Sequence, residues 1–349
     1  MKHEKFVVSA PTRCDLAGGT LDLWPLYCLF GSSRTINVAI DIRAICEFDC
    51  QPNTQQVVEI ENSQGVNFSF APNQKGLLPD KAPKELKFPT AIVGRFFAQE
   101  NVEKGFKLKI KIETQAPLGS GLGGSSTLCV ALLRGLSHLN GKYEEADWRW
   151  KMLNWVRDAE AEYLKTPTGT QDYLAAIFGS LSCFNSHVGE IIHENYLPSV
   201  VEELNSRLLV LFSGEMHHSG LSNWEVFKKA MEGDSNVLSG LKALHQVAET
   251  LHKELLVKPV DWKKVGSLLT EEWKIRKTTL GVNTERLDEI IRFLETQNVL
   301  GSKVCGAAQG GSLLVLVEPQ RKQELSDACM SKSIRVLPAQ ISSFGVRIN

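Results

Sequence analysis

The 349-residue sequence contains no run of about 18 or more apolar residues, so no membrane-spanning helix is expected. It carries almost no charge imbalance. A formal net charge of −1 leaves no global basic field to attract nucleic acid or a membrane surface. No Gly-Lys-Ser/Thr triplet follows a glycine loop, which excludes a Walker-type nucleotide site. The eight cysteines are scattered, and the nearest pair, Cys46 and Cys50, lacks a zinc spacing. They read as reduced packing residues of a cytoplasmic protein, Cys14 and Cys305 included although both fall inside motifs of interest. Met1 to Lys5 are polar and lead directly into Phe6-Val7-Val8, so no secretory signal is expected. Short-period repeats and low-complexity tracts are also missing.

What is present suits a globular protein. Hydrophobic residues make up 43%, enough for real cores, and the length fits one large or two ordinary domains. Strand patterns fall at Phe6–Ala10, Thr35–Ile40, Ala44–Cys50, Val57–Ile60 and Phe106–Glu113, with a polar, Pro/Lys-rich surface loop over 72–90. A new apolar strand at Arg207–Phe212 precedes long helical patterns at Leu221–Met231, Val237–Leu256, Trp262–Leu280 and Thr284–Gln297. A buried-type strand, Ser312–Val317, and short strands near Val336 and Val346 follow. The chain is therefore divided near residue 204, into units 1–203 and 204–349.

The most informative run is Pro117-Leu118-Gly119-Ser120-Gly121-Leu122-Gly123-Gly124-Ser125-Ser126. It lies between the alternating strand ending at Glu113 and an apolar stretch, Leu128–Leu139, too long for a strand. Glycines permit tight turns and close approach to a ligand. A helix start adds unpaired N–H groups and a partial positive charge of roughly half a unit. The loop is suited to holding phosphate. Gly119, Gly121 and Gly124 also satisfy G-x-G-x-x-G, but Tyr143–Leu164 reads as a second helix where a dinucleotide fold requires a strand ending in an acid, which excludes the nicotinamide reading.

Three further clusters carry chemistry. Ala10 to Asp22 holds Arg13, Asp15, Asp22 and the Gly18-Gly19 turn; arginine and aspartate together suit hydroxyl-rich substrates, and a structural ion pair is the alternative. In Thr166 to Asp172, Asp172 is either a rigidly held loop carboxylate or the N-cap of a helix over Tyr173–Phe178. Glu160, twelve residues upstream, sits beside Ala159 on an apolar stripe and so is a candidate inward-facing carboxylate. Lys303 to Ser312 is a second small-residue loop running into a strand. His217 and His218 lack an acidic third ligand and are given no metal.

In this order the motifs resemble the galactokinase, homoserine kinase, mevalonate kinase and phosphomevalonate kinase superfamily, the GHMP kinases, over nearly the whole chain. Ala17-Gly18-Gly19 with Asp22, Gln171-Asp172, and Glu272 to Lys277 with Val304 to Ala307 look most like its sugar-kinase branch, and within it the D-glycero-D-manno-heptose 7-phosphate kinases, which phosphorylate an anomeric hydroxyl. The resemblance implies an α+β fold of two domains, ribosomal-protein-S5-like at the N-terminus and ferredoxin-like at the C-terminus, with ATP and substrate between them.

It also implies roles. Pro117, Gly119, Ser120, Gly121, Leu122, Gly123, Gly124, Ser125 and Ser126 would hold ATP; Ser125 and Glu160 would hold Mg²⁺; Asp172 and Arg13 would be catalytic. Asp22, Gly18, Gly19, Gln171, Gly169 and Gly310 would face the substrate, a sugar or sugar phosphate, with a homodimer left open. The chain departs from the family pattern at Gly124, which leaves phosphate binding intact, and at Thr20 and Leu21 before Asp22 and at Ala308 and Gln309, changes that point to a bulkier, more apolar pocket for a different sugar or another alcohol. A kinase for a non-sugar alcohol such as mevalonate is the alternative enzyme. An inactive sugar and nucleotide sensor is the alternative of another class, and Ser125, Glu160 and Asp172 argue against it.

Overall fold

A computed structural model describes residues 3–72, 79–99, 105–141, 146–215, 219–279, 281, 284–306 and 311–349. The chain opens with two long strands, β1 (Glu4–Ala17) and β2 (Ser32–Pro52), followed by β3 (Gln56–Asn62) and β4 (Asn67–Phe70). Then come α1 (Lys87–Gln99), β5 (Phe106–Thr114), α2 (Gly124–Leu139), α3 (Trp148–Leu164) and α4 (Gln171–Phe178). A hairpin, β6 (Leu181–His187) and β7 (Glu190–Asn195), leads to α5 (Pro198–Arg207) and β8 (Leu208–Phe212). The remainder is α6 (Ser219–Met231), α7 (Ser235–Leu256), α8 (Trp262–Thr279), α9 (Glu285–Thr296), β9 (Gly301–Val304), β10 (Ser312–Leu316), α10 (Lys322–Ser331), β11 (Arg335–Leu337) and β12 (Arg347–Ile348). No helix of the described residues is long and apolar enough to cross a membrane.

The elements form two sheets. In the first, the order is β12-β1-β2-β5-β3-β4, with β6 and β7 extending from β2. The two strands expected at Thr35–Ile40 and Ala44–Cys50 are one strand, which pairs with β1 on one edge and divides the other between two partners: Ser32–Val38 pairs with β6, and Ala44–Pro52 with β5. The short strand near Val346 closes this sheet against β1, so the end of the chain returns to its beginning. The second sheet is β11-β8-β10-β9, all antiparallel. The described part of the loop expected at 72–90 is partly helical, because Phe96, Phe97, Ile92 and Val93 give α1 an apolar face that packs into the main core. The helix expected from Tyr143 is observed from Trp148, and Tyr143 itself lies outside the described residues.

Period-two alternation divides the cores. On β8, Leu208 and Val210 face the interior shared with β1, β2, α7 and α8, while Leu209 and Leu211 face α9 and α10. The first core lies under α1 to α4, where apolar positions of β1, β2, β3 and β5 meet α2, a helix buried almost all round. The shared interior brings the start of α2, the end of β1 and the end of β9 to one place.

Helix α8 approaches β9 unusually closely. A Cβ on Gly266 would lie 2.2 Å from the Leu300 carbonyl oxygen, and one on Gly301 would lie 1.9 Å from the Gly266 carbonyl oxygen. Both are backbone contacts, which cannot swing away as a flexible side chain can. Gly266→Ala is therefore expected to lower the unfolding free energy by about 1–3 kcal/mol, as overpacking does, measured by urea titration. An unchanged midpoint would show that the helix can move off the strand without loss.

Candidate active site

The glycine loop has the expected strand–loop–helix setting, between the end of β5 and the start of α2. Its left-handed residues are Gly119 (φ 68°), Gly121 (φ 73°) and Gly123 (φ 77°), whereas Gly124 is already the first residue of the helix. Gly123 is required for a second reason: an added Cβ would lie 2.8 Å from Asp172 Cγ and 3.0 Å from its Oδ2. The Gly123 N-cap makes no side-chain capping bond, so the N–H groups of the first turn of α2 are not satisfied by a cap. Leu118 is exposed at the tip, Ser120, Leu122 and Ser126 are buried, and Ser125 faces solvent.

The loop is fixed by backbone from both sheets. Arg13 N donates to the Leu122 carbonyl oxygen (3.2 Å), and Ser312 N to that of Ser120 (2.7 Å). The Gly121 backbone rests on Cys305 and Gly306, so closely that a Cβ on Gly121 would lie 2.8 Å from the Cys305 carbonyl oxygen.

Arg13 and Asp172, 159 residues apart, meet beside this loop. Arg13 Nε and Nη2 both reach Asp172 Oδ1 (2.7 and 2.6 Å), and Nη1 donates to the Gly121 carbonyl oxygen (2.6 Å). Burial opposes the charge on Arg13, but Asp172 and Asp15 outweigh it and hold the guanidinium above its ordinary value. The Asp172 side chain remains 23% exposed. Its Oδ1 is committed to arginine, which leaves Oδ2 on the side of Gly123.

Asp172 lies in the first turn of α4 and is not its cap. That position is Thr170, whose hydroxyl makes no capping bond. The acceptor comes from far away in sequence: Asp22 Oδ2 takes the N–H groups of Thr170 (2.6 Å) and Gln171 (2.9 Å). Gly169 leaves room for this, since a Cβ there would lie 2.2 Å from the same oxygen. Burial raises the Asp22 carboxyl above its ordinary value, against the two N–H donors. Asp22 thus fixes the residues just before Asp172.

The Gly18-Gly19 turn lies alongside. Thr20 follows with a left-handed backbone (φ 75°), rare for a β-branched residue. Arg276 holds it there, donating to the Gly19 carbonyl oxygen (2.7 Å) and Thr20 Oγ1 (3.3 Å). Gln171 Oε1 is buried next to Gly19 without a hydrogen-bond partner, a state that a polar ligand would relieve. Leu21 does not enlarge an apolar substrate pocket as expected from the sequence. It is fully buried with Leu23 and Leu26 against Val226, Leu241 and Leu244, because the turn directs it into the α6–α7 layer. Trp24 is exposed. Gly310, with 307–309, and His217 and His218 lie outside the described residues.

Glu160 is inward-facing, as its place on the stripe of α3 predicts. Its Oε2 accepts from Tyr173 (2.5 Å) and from Ser126 (2.8 Å); the structure brings Ser126, not its neighbour Ser125, to this carboxylate. Burial pushes the Glu160 carboxyl up to about 7 against these two donors. Among the described residues no lysine or arginine pairs with it. A buried carboxylate without a cation, bordered by hydroxyl oxygens, is a donor set that fits a hard divalent ion.

Sequence reasoning missed a fully buried charge cluster behind Arg13. Asp15 accepts from Lys303 Nζ (2.6 Å) and from Gly306 N (2.9 Å), and lies 3.6 Å from Arg13 Nη1. Burial alone would raise the Asp15 carboxyl; Lys303, Arg13 and Arg276 overcome this and bring it down to about 2. Lys303 also pairs with Glu272, and Glu272 with Arg276 (3.2 Å). One signal was available, since Glu272 and Arg276 fall on the apolar stripe of α8 with Trp262, Val265 and Leu269. Behind the Gly18 turn, Cys183, Glu194 and His252 offer ligand atoms within 4.8 Å of one another. Arg34 reaches both Cys183 (3.9 Å) and Glu194 (3.7 Å), so a positive charge already occupies that cluster.

The raised Glu160 carboxyl predicts a pH-dependent gain on neutralisation. A buried carboxylic acid that prefers its proton destabilises the fold as pH rises from its ordinary value, 4.5, through about 7. Glu160→Gln should therefore raise the melting temperature of magnesium-free protein at pH 8, with the gain fading toward pH 4.5. An equal shift at both ends would show that ionisation of Glu160 does not govern it.

Comparison with known proteins identifies the family. The profile of the GHMP kinases N terminal domain matches residues 88–180, and that of the GHMP kinases C terminal domain matches residues 251–333, together just over half the chain. The chain is 24% identical to the bifunctional fucokinase/GDP-fucose pyrophosphorylase of Arabidopsis thaliana, over 98% of its own length but only 32% of that protein. It is 26% identical to the D-glycero-alpha-D-manno-heptose 7-phosphate kinase of Campylobacter jejuni, over 97% of this chain and 96% of that one. Among solved structures, a D-glycero-D-manno-heptose 1-phosphate kinase from Bacteroides thetaiotaomicron superposes with a TM-score of 0.75 at 22% identity, over 99% and 98% of the two chains. The α+β fold, with its S5-like and ferredoxin-like parts, is that of the same group. The chain belongs to the GHMP kinases and is an ATP-dependent small-molecule kinase with an alcohol group as acceptor.

Proposed function

We propose that the protein uses ATP and Mg²⁺ to phosphorylate a hydroxyl, the anomeric one, of a sugar or sugar phosphate of the heptose 7-phosphate class. The observation that carries this reading is the contact of Arg13 and Asp172 with each other and with the glycine loop at Gly121 and Gly123. Residues 1–203 supply the nucleotide loop and 204–349 the segment that closes over it.

Phosphoryl transfer needs positioning and charge neutralisation more than covalent chemistry. The backbone from Gly119 to Ser126 holds the triphosphate, with the helix dipole of α2 and uncapped N–H groups favouring negative charge. Glu160, with the Ser126 hydroxyl on its Oε2 and Ser125 next in the chain, would hold Mg²⁺, which would supply positive charge to the phosphates. Asp172 Oδ2, on the Gly123 side, accepts the proton of the acceptor hydroxyl as its oxygen bonds to the γ-phosphorus. The bond from that phosphorus to the β–γ bridging oxygen breaks, and ADP leaves. Arg13 orients Asp172 through Oδ1 and balances its charge. Gly18, Gly19, Gly169 and Gln171 border the acceptor, and Gln171 Oε1 offers a buried acceptor for a substrate hydroxyl. Asp22 serves the acceptor side through the turn it caps.

An ADP-release screen over hexoses, heptoses, their phosphates and mevalonate tests the reading, with phosphorus NMR of the product to locate the new ester. Release with a sugar or sugar phosphate and an anomeric ester is expected; release with mevalonate alone would overturn it. Asp172→Asn should lower kcat by about 10²–10⁴, the usual weight of general-base action, while ATP affinity stays within about threefold. Full turnover in that variant would remove Asp172 from the chemistry.

A further inference from the structure

We propose that Lys303 is a positioning residue, which occupies Asp15 so that Arg13 stays committed to Asp172. The inference rests on the reading of Arg13 and Asp172 as the catalytic pair. Six buried or partly buried charges run in alternating sign: Asp172, Arg13, Asp15, Lys303, Glu272, Arg276. The chain crosses from α4 through β1 to β9 and α8. It ends on the Gly19 carbonyl oxygen and Thr20 Oγ1, back in the turn that follows β1.

Arg13 has two carboxylates within reach. Its Nε and Nη2 lie on Asp172, and Nη1 is 3.6 Å from Asp15 Oδ1. Both compete for one planar fork, and in a buried site an unpaired carboxylate is costly, so each needs a cation. Lys303, fully buried at 2.6 Å from Asp15 Oδ2, supplies the second one. Gly306 N donates to Asp15 Oδ1, so the same carboxylate also ties the backbone under Gly121 to β1. Without the lysine charge, Asp15 keeps Arg276 and, at 3.6 Å, Arg13 as its cations; as the more deeply buried anion it draws the Arg13 fork away from the partly exposed Asp172.

Two matched double variants separate this role from plain stability. Glu272→Gln/Lys303→Met and Asp15→Asn/Lys303→Met each remove one buried cation and one buried anion. They differ in whether Asp15 keeps its charge. The readout is hydrogen exchange of the Arg13 Nε–H by nitrogen-15 NMR, with the resonance assigned by its loss in Arg13→Lys. The first variant should lose about tenfold or more in protection, and kcat should fall with it while KM for ATP holds; the second should stay near the native value in both. Equal protection in the two variants would overturn the proposal. Should the first fail to fold, Glu272→Leu/Lys303→Leu, which also removes one buried charge of each sign, takes its place, with native protection expected in Asp15→Asn/Lys303→Leu and its absence there counting against. The exchange measurement needs neither acceptor nor ATP, so it fails or succeeds independently of the acceptor screen.

Discussion

One guanidinium holds the site together. Arg13 lies buried in β1 and is satisfied by acceptors from two other segments, Asp172 at the start of α4 and the Gly121 carbonyl oxygen in the glycine loop. A buried arginine cannot leave its donors unmatched at low cost, so the positions of these segments are coupled to its own. Its planar fork adds direction, since two nitrogens converge on a single carboxylate oxygen and leave the other oxygen toward Gly123. The geometry around the glycine loop follows from satisfying one cation.

Two carboxylates near the loop are treated in opposite ways. Asp172 is partly exposed and neutralised by Arg13. Glu160 is buried with hydroxyl donors alone, and burial pushes it up to about 7. The fold therefore carries a carboxyl poised near neutral pH at the place where an incoming cation would relieve it. Such a group lowers the stability of the fold as pH rises above its ordinary pKa.

The second sheet acts as a lock on the first. Backbone at Cys305, Gly306, Gly311 and Ser312 rests on Gly119 to Gly121, and Lys303 on β9 enters the charge chain that passes through Arg13. The close approach of Gly266 to Leu300 and Gly301 sets the spacing of α8 from β9, and with it the reach of Glu272 and Arg276. The glycine loop, Asp172 and the Gly18-Gly19 turn thus share supports drawn from both ends of the chain.

The sequence by itself determined the parts whose physics is local. The glycine loop between β5 and α2, the apolar stripe that turns Glu160 inward, and the spacing of the long helices are consequences of backbone freedom and periodicity over a few residues. The Arg13, Asp22 and Asp172 motifs were visible as candidates. Their partners were not, because hydrogen bonds between residues 159 and 148 positions apart leave no periodic trace. Only tertiary structure decided that Asp22 caps α4, that Ser126 meets Glu160, that Leu21 enters the α6–α7 layer, and that the strands around Thr35 and Ala44 are one. It also placed Lys303, a lone lysine in a short strand, against Asp15 and Glu272. Burial creates the demand for such partners, and a chain reveals which of its charges are buried only once it has folded.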